Sequence, residues 1–175
     1  MFERVGEVFE FDDKLTAVGK KLEVGDTAPD FTLDHTDPAT GTNQVVSLSD
    51  TRGKVRLLNV INSIDTPVCH VETHKWENLR ADLPADVVVY TISMDLAFAQ
   101  ARWHKSENVS HQALSGHKSE KFGQDYGVLL KEWRLLQRAV FVIDRDDKIV
   151  YAEYVNDQMQ EPDYNAAIDA AKAAV

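Results

Sequence analysis

Two near-continuous apolar runs, residues 55–61 (VRLLNVI) and 87–92 (VVVYTI), constrain this chain more than any other feature. Runs of this length and composition are what strands buried on both faces require. Between them, over residues 67–83, the apolar residues Val68, Val71, Trp76, Leu79 and Leu83 fall within one broad stripe at 100° per residue. That pattern predicts an amphipathic helix. A strand, a helix of this length and a second strand make a crossover unit, so the two runs are expected to be parallel neighbours in one sheet.

The flanking segments extend the same plan. Residues 1–24 read as a hairpin-like entry: Glu7 to Phe11 alternate, Asp12 and Asp13 can turn, and a short strand follows. Residues 25–33 (GDTAPDFTL) hold a glycine and a proline before an extended apolar run. Residues 34–50, rich in Asp, Thr and Asn, read as a loop ahead of Val45-Val46-Ser47-Leu48. Shorter helices are expected over 95–104 and 119–126. Residues 139–144 (AVFVID), a turn at 145–147 and residues 149–155 (IVYAEYV) form an antiparallel hairpin. The Ala-rich stretch from Pro162 onward is helical, with the proline near its N-terminal end, where proline is tolerated. The expectation is an α/β fold with a mixed central sheet flanked by helices and an N-terminal β-hairpin. At 175 residues, with no repeat and no Gly/Ser linker, it fits one domain over 1–175.

Charge narrows the class of partner. The 19 basic and 29 acidic residues give a net charge of −10, which disfavours nonspecific attraction to nucleic acid or anionic lipid. No apolar run approaches the roughly 18–20 residues of a membrane helix. The N-terminus alternates charged with apolar residues and leaves no room for the apolar segment of a signal peptide. A cytoplasmic protein is expected. The single cysteine, Cys69, excludes an intramolecular disulfide and suits a reducing compartment.

The segment around that cysteine carries the chemistry. Thr66 is a good N-cap and Pro67 suits the first helical position, which puts Cys69 third, inside the first turn. Unpaired N–H groups and the positive end of the helix dipole favour a thiolate there. A helix N-terminus or a nearby cation depresses a thiol pKa from about 8.5 into the range of about 3.5–7.5. The alternative is a buried cysteine serving as a small hydrophobe. The cap, the proline and the amphipathic helix favour reactivity without identifying a reaction.

The string from Asn62 to Cys69 resembles the peroxiredoxin active-site pattern Pro-x-x-x-Thr-x-x-Cys, and the whole chain resembles the bacterial thiol peroxidase branch of that family. The similarity extends over residues 24–33 (VGDTAPDFTL), 63–69 (SIDTPVC), 93–103 (SMDLAFAQARW), 138–144 (RAVFVID) and 162–166 (PDYNA). It implies a thioredoxin-like fold, a homodimer and a thiol-dependent peroxidase with no cofactor. It further implies that Cys69 is the peroxidatic cysteine, oxidised to a sulfenic acid, and that the Thr66 hydroxyl hydrogen-bonds the thiolate and the bound peroxide. Arg138 would approach from across the sheet and favour the thiolate. Fixed donors and a cation suit O–O cleavage, which builds negative charge on the leaving oxygen.

Two departures from the family pattern matter. Asn62 stands where the family's usual proline shapes the pocket, and a polar residue there is expected to admit water or loosen the geometry. His104, after Arg102-Trp103, stands where much of this branch carries a resolving cysteine. The cycle is therefore expected to use one cysteine and an external thiol, either a thioredoxin-like protein or a small thiol.

Other features are weaker. His70 and His74 share a helix face at a spacing that can bind zinc, yet no third ligand is indicated in sequence and a solvated face is the reading adopted, with no metal. His111 and His117 flank a loop and carry no motif. Two classes of function remain: a peroxide-reducing enzyme, and a peroxide sensor in which oxidised Cys69 signals to a partner.

Overall fold

The computed structural model describes all 175 residues. The N-terminal hairpin pairs β1 (Glu3–Glu10) with β2 (Asp13–Val18) in antiparallel fashion. Its turn falls at Phe11 and Asp12, one residue earlier than expected, with Phe11 at a positive φ of 52°. Residues 34–50 are not simply a loop. They contribute to a hairpin of β3 (Thr32–Thr36) and β4 (Asn43–Ser47). Its polar residues escaped recognition as strand because β4 is the edge of the sheet and keeps little of its surface buried.

The two apolar runs form β5 (Val55–Val60) and β6 (Val87–Ser93), parallel and in register from Val55 opposite Val87 to Val60 opposite Ile92. The crossover helix α1 (Pro67–Leu79) ends sooner than the stripe predicted, in a short 3-10 turn at Arg80–Asp82. Pro84 explains the stop: it drives Leu83 into extended geometry, φ −86° and ψ 148°. The buried face of α1 also differs from the apolar stripe. It consists of Cys69, Glu72, Thr73 and Trp76, while Val71 is exposed.

The chain continues through α2 (Ala97–Ser106), β7 (Gln112–Ser115) and α3 (Lys121–Asp125). The two-residue strands β8 (Leu129–Leu130) and β9 (Leu135–Leu136) follow, then β10 (Ala139–Ile143), β11 (Ile149–Tyr154) and α4 (Tyr164–Ala174). β7 was not legible in sequence, since QALS is too short and too polar at its start to stand out. The central sheet has the order β11-β10-β5-β6-β7-β3-β4, and β1-β2-β8-β9 form a second, smaller sheet.

Period-2 alternation sorts the core. Leu58, Val60, Phe141 and Ile143 point to one face with Phe31, Phe122 and Tyr126. Leu57, Val140 and Val142 point to the other, against Trp76 of α1 and Ala167, Ile168 and Ala171 of α4. Full burial of side chains this size contributes roughly 1.5–3 kcal/mol each. The hairpin is locked on by Gly19 and Gly127, both at positive φ, where a Cβ would collide with the carbonyls of Gln124 and Lys20 respectively. It also reaches the C-terminal part of the chain: Phe9 bonds through its N–H to Asn156 O and through its carbonyl to Gln158 N, each at 2.9 Å.

Candidate active site

Sheet pairing explains why distant residues meet at the cysteine. β10 runs antiparallel to β5 with Ala139 opposite Val60. The residue before β10, Arg138, therefore lies beside the point where β5 ends and the loop into α1 begins. That loop is held by Asp95, just past the end of β6, whose carboxylate accepts from Ser63 Oγ at 2.7 Å and Ile64 N at 3.0 Å. Sequence reasoning did not single out Asp95, because nothing local marks its partners.

Thr66 occupies the N-cap and Pro67 the first helical position, as expected, so Cys69 sits in the first turn. Its sulfur is completely buried, packed with Ile61, Ile64, Trp103 and Val109. Arg138, itself buried, donates from Nη1 to Cys69 Sγ at 3.1 Å. The remaining terminal hydrogens of the guanidinium go to Glu72 Oε2 at 2.5 Å, Asn62 Oδ1 at 3.2 Å and Gln158 O at 2.9 Å. A planar fork with this many fixed acceptors has little freedom to leave the sulfur.

Two expectations change in the details. The Thr66 hydroxyl neither donates to the thiol nor accepts from a capping N–H. It donates to Ser63 O at 3.0 Å, an intraloop bond that is closer to hand. Asn62 does not loosen the pocket or open it to water. It is 2% exposed and fully bonded: Nδ2 donates to Leu136 O at 2.6 Å and Gln158 Oε1 at 2.9 Å, while Oδ1 receives Arg138. Gln158 completes the frame by accepting from Arg138 N at 2.9 Å. It is a further supporting residue that no sequence motif indicates.

Electrostatics around the sulfur are set by the buried pair. Burial pushes the Glu72 carboxyl up to about 7, with the Arg138 charge pulling the other way. Burial likewise opposes the charge on Arg138, but Glu72 and then Cys69 outweigh it and leave its pKa above the ordinary value. The guanidinium is thus a permanent cation against the sulfur.

Beyond the sulfur, the histidines divide into two groups. His104, in the place of a resolving cysteine, is 2% exposed and neither ring nitrogen has a partner. Burial, followed by the nearby His111, pushes its pKa down to about 3, so the ring is neutral. His111 is no mere loop residue: it is buried, meeting Glu77 through Nδ1 at 2.7 Å and Thr91 Oγ1 through Nε2 at 2.7 Å. Asn59 Nδ2 in turn donates to Thr91 Oγ1 at 3.2 Å. His70 and His74 lie half-buried on the outer side of α1. There the fold brings up a carboxylate that sequence did not indicate, since His74 Nε2 lies 3.2 Å from Glu107 Oε2.

Residues 23–168 match the model of the redoxin family. The chain belongs to that family. Within it, the chain is similar to the thiol peroxidase of Bacillus subtilis (strain 168), 47% identical over 162 residues that cover 92% of this chain and 93% of the relative. It is also similar to the thiol peroxidase of Streptococcus sanguinis, 45% identical over 91% of this chain and 94% of that one. The crystal structure of a peroxiredoxin-like protein from Aquifex aeolicus superimposes with a TM-score of 0.84 at 30% identity, covering 98% of this chain and 99% of the other. This redoxin is thus of the thiol peroxidase branch, with the thioredoxin-like mixed sheet expected for it and the one-cysteine form of the site.

Proposed function

We propose that the protein is a thiol-dependent peroxidase acting on hydrogen peroxide and organic hydroperoxides through Cys69. The observation that carries this reading is the contact between the Arg138 guanidinium and the Cys69 sulfur, 3.1 Å, in the first turn of α1. The Cys69 thiolate attacks one oxygen of the peroxide, an S–O bond forms as the O–O bond breaks, and the departing hydroxide or alkoxide takes up a proton. Charge passes from sulfur to the leaving oxygen within reach of a fixed cation, so little reorganisation is needed during reaction. The Thr66 hydroxyl has committed its proton to Ser63 O, and its free lone pairs are suited to accept from the hydroperoxide O–H.

The sulfenic acid is then resolved from outside. An external thiol condenses with Cys69–SOH, forming a mixed disulfide and water; a second thiol then attacks the external sulfur, releasing Cys69 as its thiolate and joining the two external thiols in a disulfide. The sulfur is buried, so a thiol carried on a protein gains access only when the first turn of α1 opens locally. Single-domain organisation, a cytoplasmic setting and a homodimeric state complete the reading. Exposed Leu96 and Phe98 around the start of α2 support self-association, which sedimentation measures directly.

The deciding experiment is steady-state peroxide consumption with a panel of thiol donors, alongside intact mass after oxidation. Sustained turnover, a gain of one oxygen reversed by the productive donor, and complete loss in Cys69→Ser are expected. A single oxidation per chain with no donor-supported turnover would favour a sensor instead.

A further inference from the structure

We propose that His70, His74 and Glu107 form a binding site for a divalent transition-metal ion of the zinc type, bridging α1 and α2. One ligand atom from each residue lies within 4.8 Å of the others. His74 Nε2 and Glu107 Oε2, at 3.2 Å, are already near the roughly 3.4 Å that separates two ligands on tetrahedral zinc with bonds of about 2.0–2.2 Å. Contraction by side-chain rotation of His70 completes the set. The two histidines stand one turn apart on α1, the spacing that aims both rings to one side of a helix.

Tertiary structure adds what the spacing lacks. Glu107 caps the C-terminus of α2, so the third ligand arrives from a second element. Trp103, also on α2, packs against both imidazoles, with ring centroids 5.2 Å from His70 and 5.6 Å from His74. It limits the orientations the rings must lose on binding. All three ligands are half-buried, open enough for an ion to enter. Two nitrogens and one carboxylate oxygen are a borderline donor set, suited to Zn²⁺, Co²⁺ or Ni²⁺ rather than to Mg²⁺ or Ca²⁺. They leave coordination positions for water. The site is distinct from the sulfur but tied to it mechanically, because Trp103 packs on Cys69 from the same helix that supplies Glu107. An ion here fastens the early turns of α1 to the end of α2.

The test is titration of the chelator-treated full chain with Co²⁺, read by visible absorption, and with Zn²⁺, read by thermal melting. Expected are one ion per chain, visible cobalt bands without near-ultraviolet thiolate charge transfer, and a rise in the melting midpoint with Zn²⁺. Cys69→Ser and His117→Ala retain these responses. His74→Ala and Glu107→Gln weaken Co²⁺ binding by about tenfold or more and lose the Zn²⁺-dependent rise, while melting normally without metal. Failure of wild type to bind, binding unchanged in both His74→Ala and Glu107→Gln, or a charge-transfer band that disappears in Cys69→Ser would each overturn the proposal.

Discussion

Asn62 accepts a hydrogen bond from Arg138 Nη2 at 3.2 Å, and through it a residue in the loop just past β5 steers the cation that faces the sulfur. The same amide reaches Leu136 O and Gln158 Oε1, so Asn62 bridges the Cys69 loop, the end of β9 and the segment held by the N-terminal hairpin.

Asn62→Ala removes an acceptor for a buried guanidinium and a donor to two buried oxygens. The cost of such unsatisfied groups is about 1–3 kcal/mol. Urea denaturation is expected to show a loss of this order. The kcat/KM for peroxide falls about tenfold as Arg138 loses one of its guides, whereas Asn62→Asp, which keeps the acceptor, retains more activity than Asn62→Ala.

Arg138→Lys keeps a positive charge but cannot reproduce the fork that touches Cys69, Glu72, Asn62 and Gln158 together. The rate of sulfenic acid formation, followed in single-turnover experiments, is expected to fall by roughly 10²–10³-fold, the usual effect of deleting a preorganised charge-stabilising donor.

Glu72 leaves a signature in stability against pH. Its folded pKa, about 7, lies above the ordinary 4.5, so the native state holds the proton longer than the unfolded chain. Between those values the native state binds more protons, and this group's contribution to stability declines as pH rises from about 4.5 to about 7. Glu72→Gln removes that decline. Chemical denaturation at a series of pH values across this window shows a more positive slope in the variant than in wild type.

His104 acts in the opposite sense. Its folded pKa, about 3 against an ordinary 6.5, means that the unfolded chain takes up a proton the native ring refuses. Proton linkage at this ring costs no stability above pH 6.5 and costs progressively more as pH falls toward 3. His104→Leu removes a buried ring with two unpartnered nitrogens, so it is expected to melt no lower than wild type at neutral pH and to resist acid better. Melting midpoints at neutral and acidic pH measure both effects.

Residues in sequence contact made much of this protein legible. The apolar runs of β5 and β6, the Thr66-Pro67 helix start and the Cys69 position within it depend on interactions that reach only a few residues, and each came out as expected. Short polar strands such as β7 and β4 did not, because their stability comes from neighbours in the sheet and not from their own pattern. The buried face of α1 departs from its apolar stripe for a related reason. Glu72 and Thr73 lie inside while Val71 lies outside, since a carboxylate can be buried once Arg138 is beside it.

By itself the sequence determined a crossover unit and a lone thiol at a helix start. The tertiary structure decided what that thiol touches. Antiparallel pairing of β10 with β5 carries Arg138 to a cysteine 69 residues away and gives Asn62 its partners, while the packing of α2 beside α1 brings Glu107 to His74. Polar groups find such partners only after the chain has folded, and a local pattern holds no record of them.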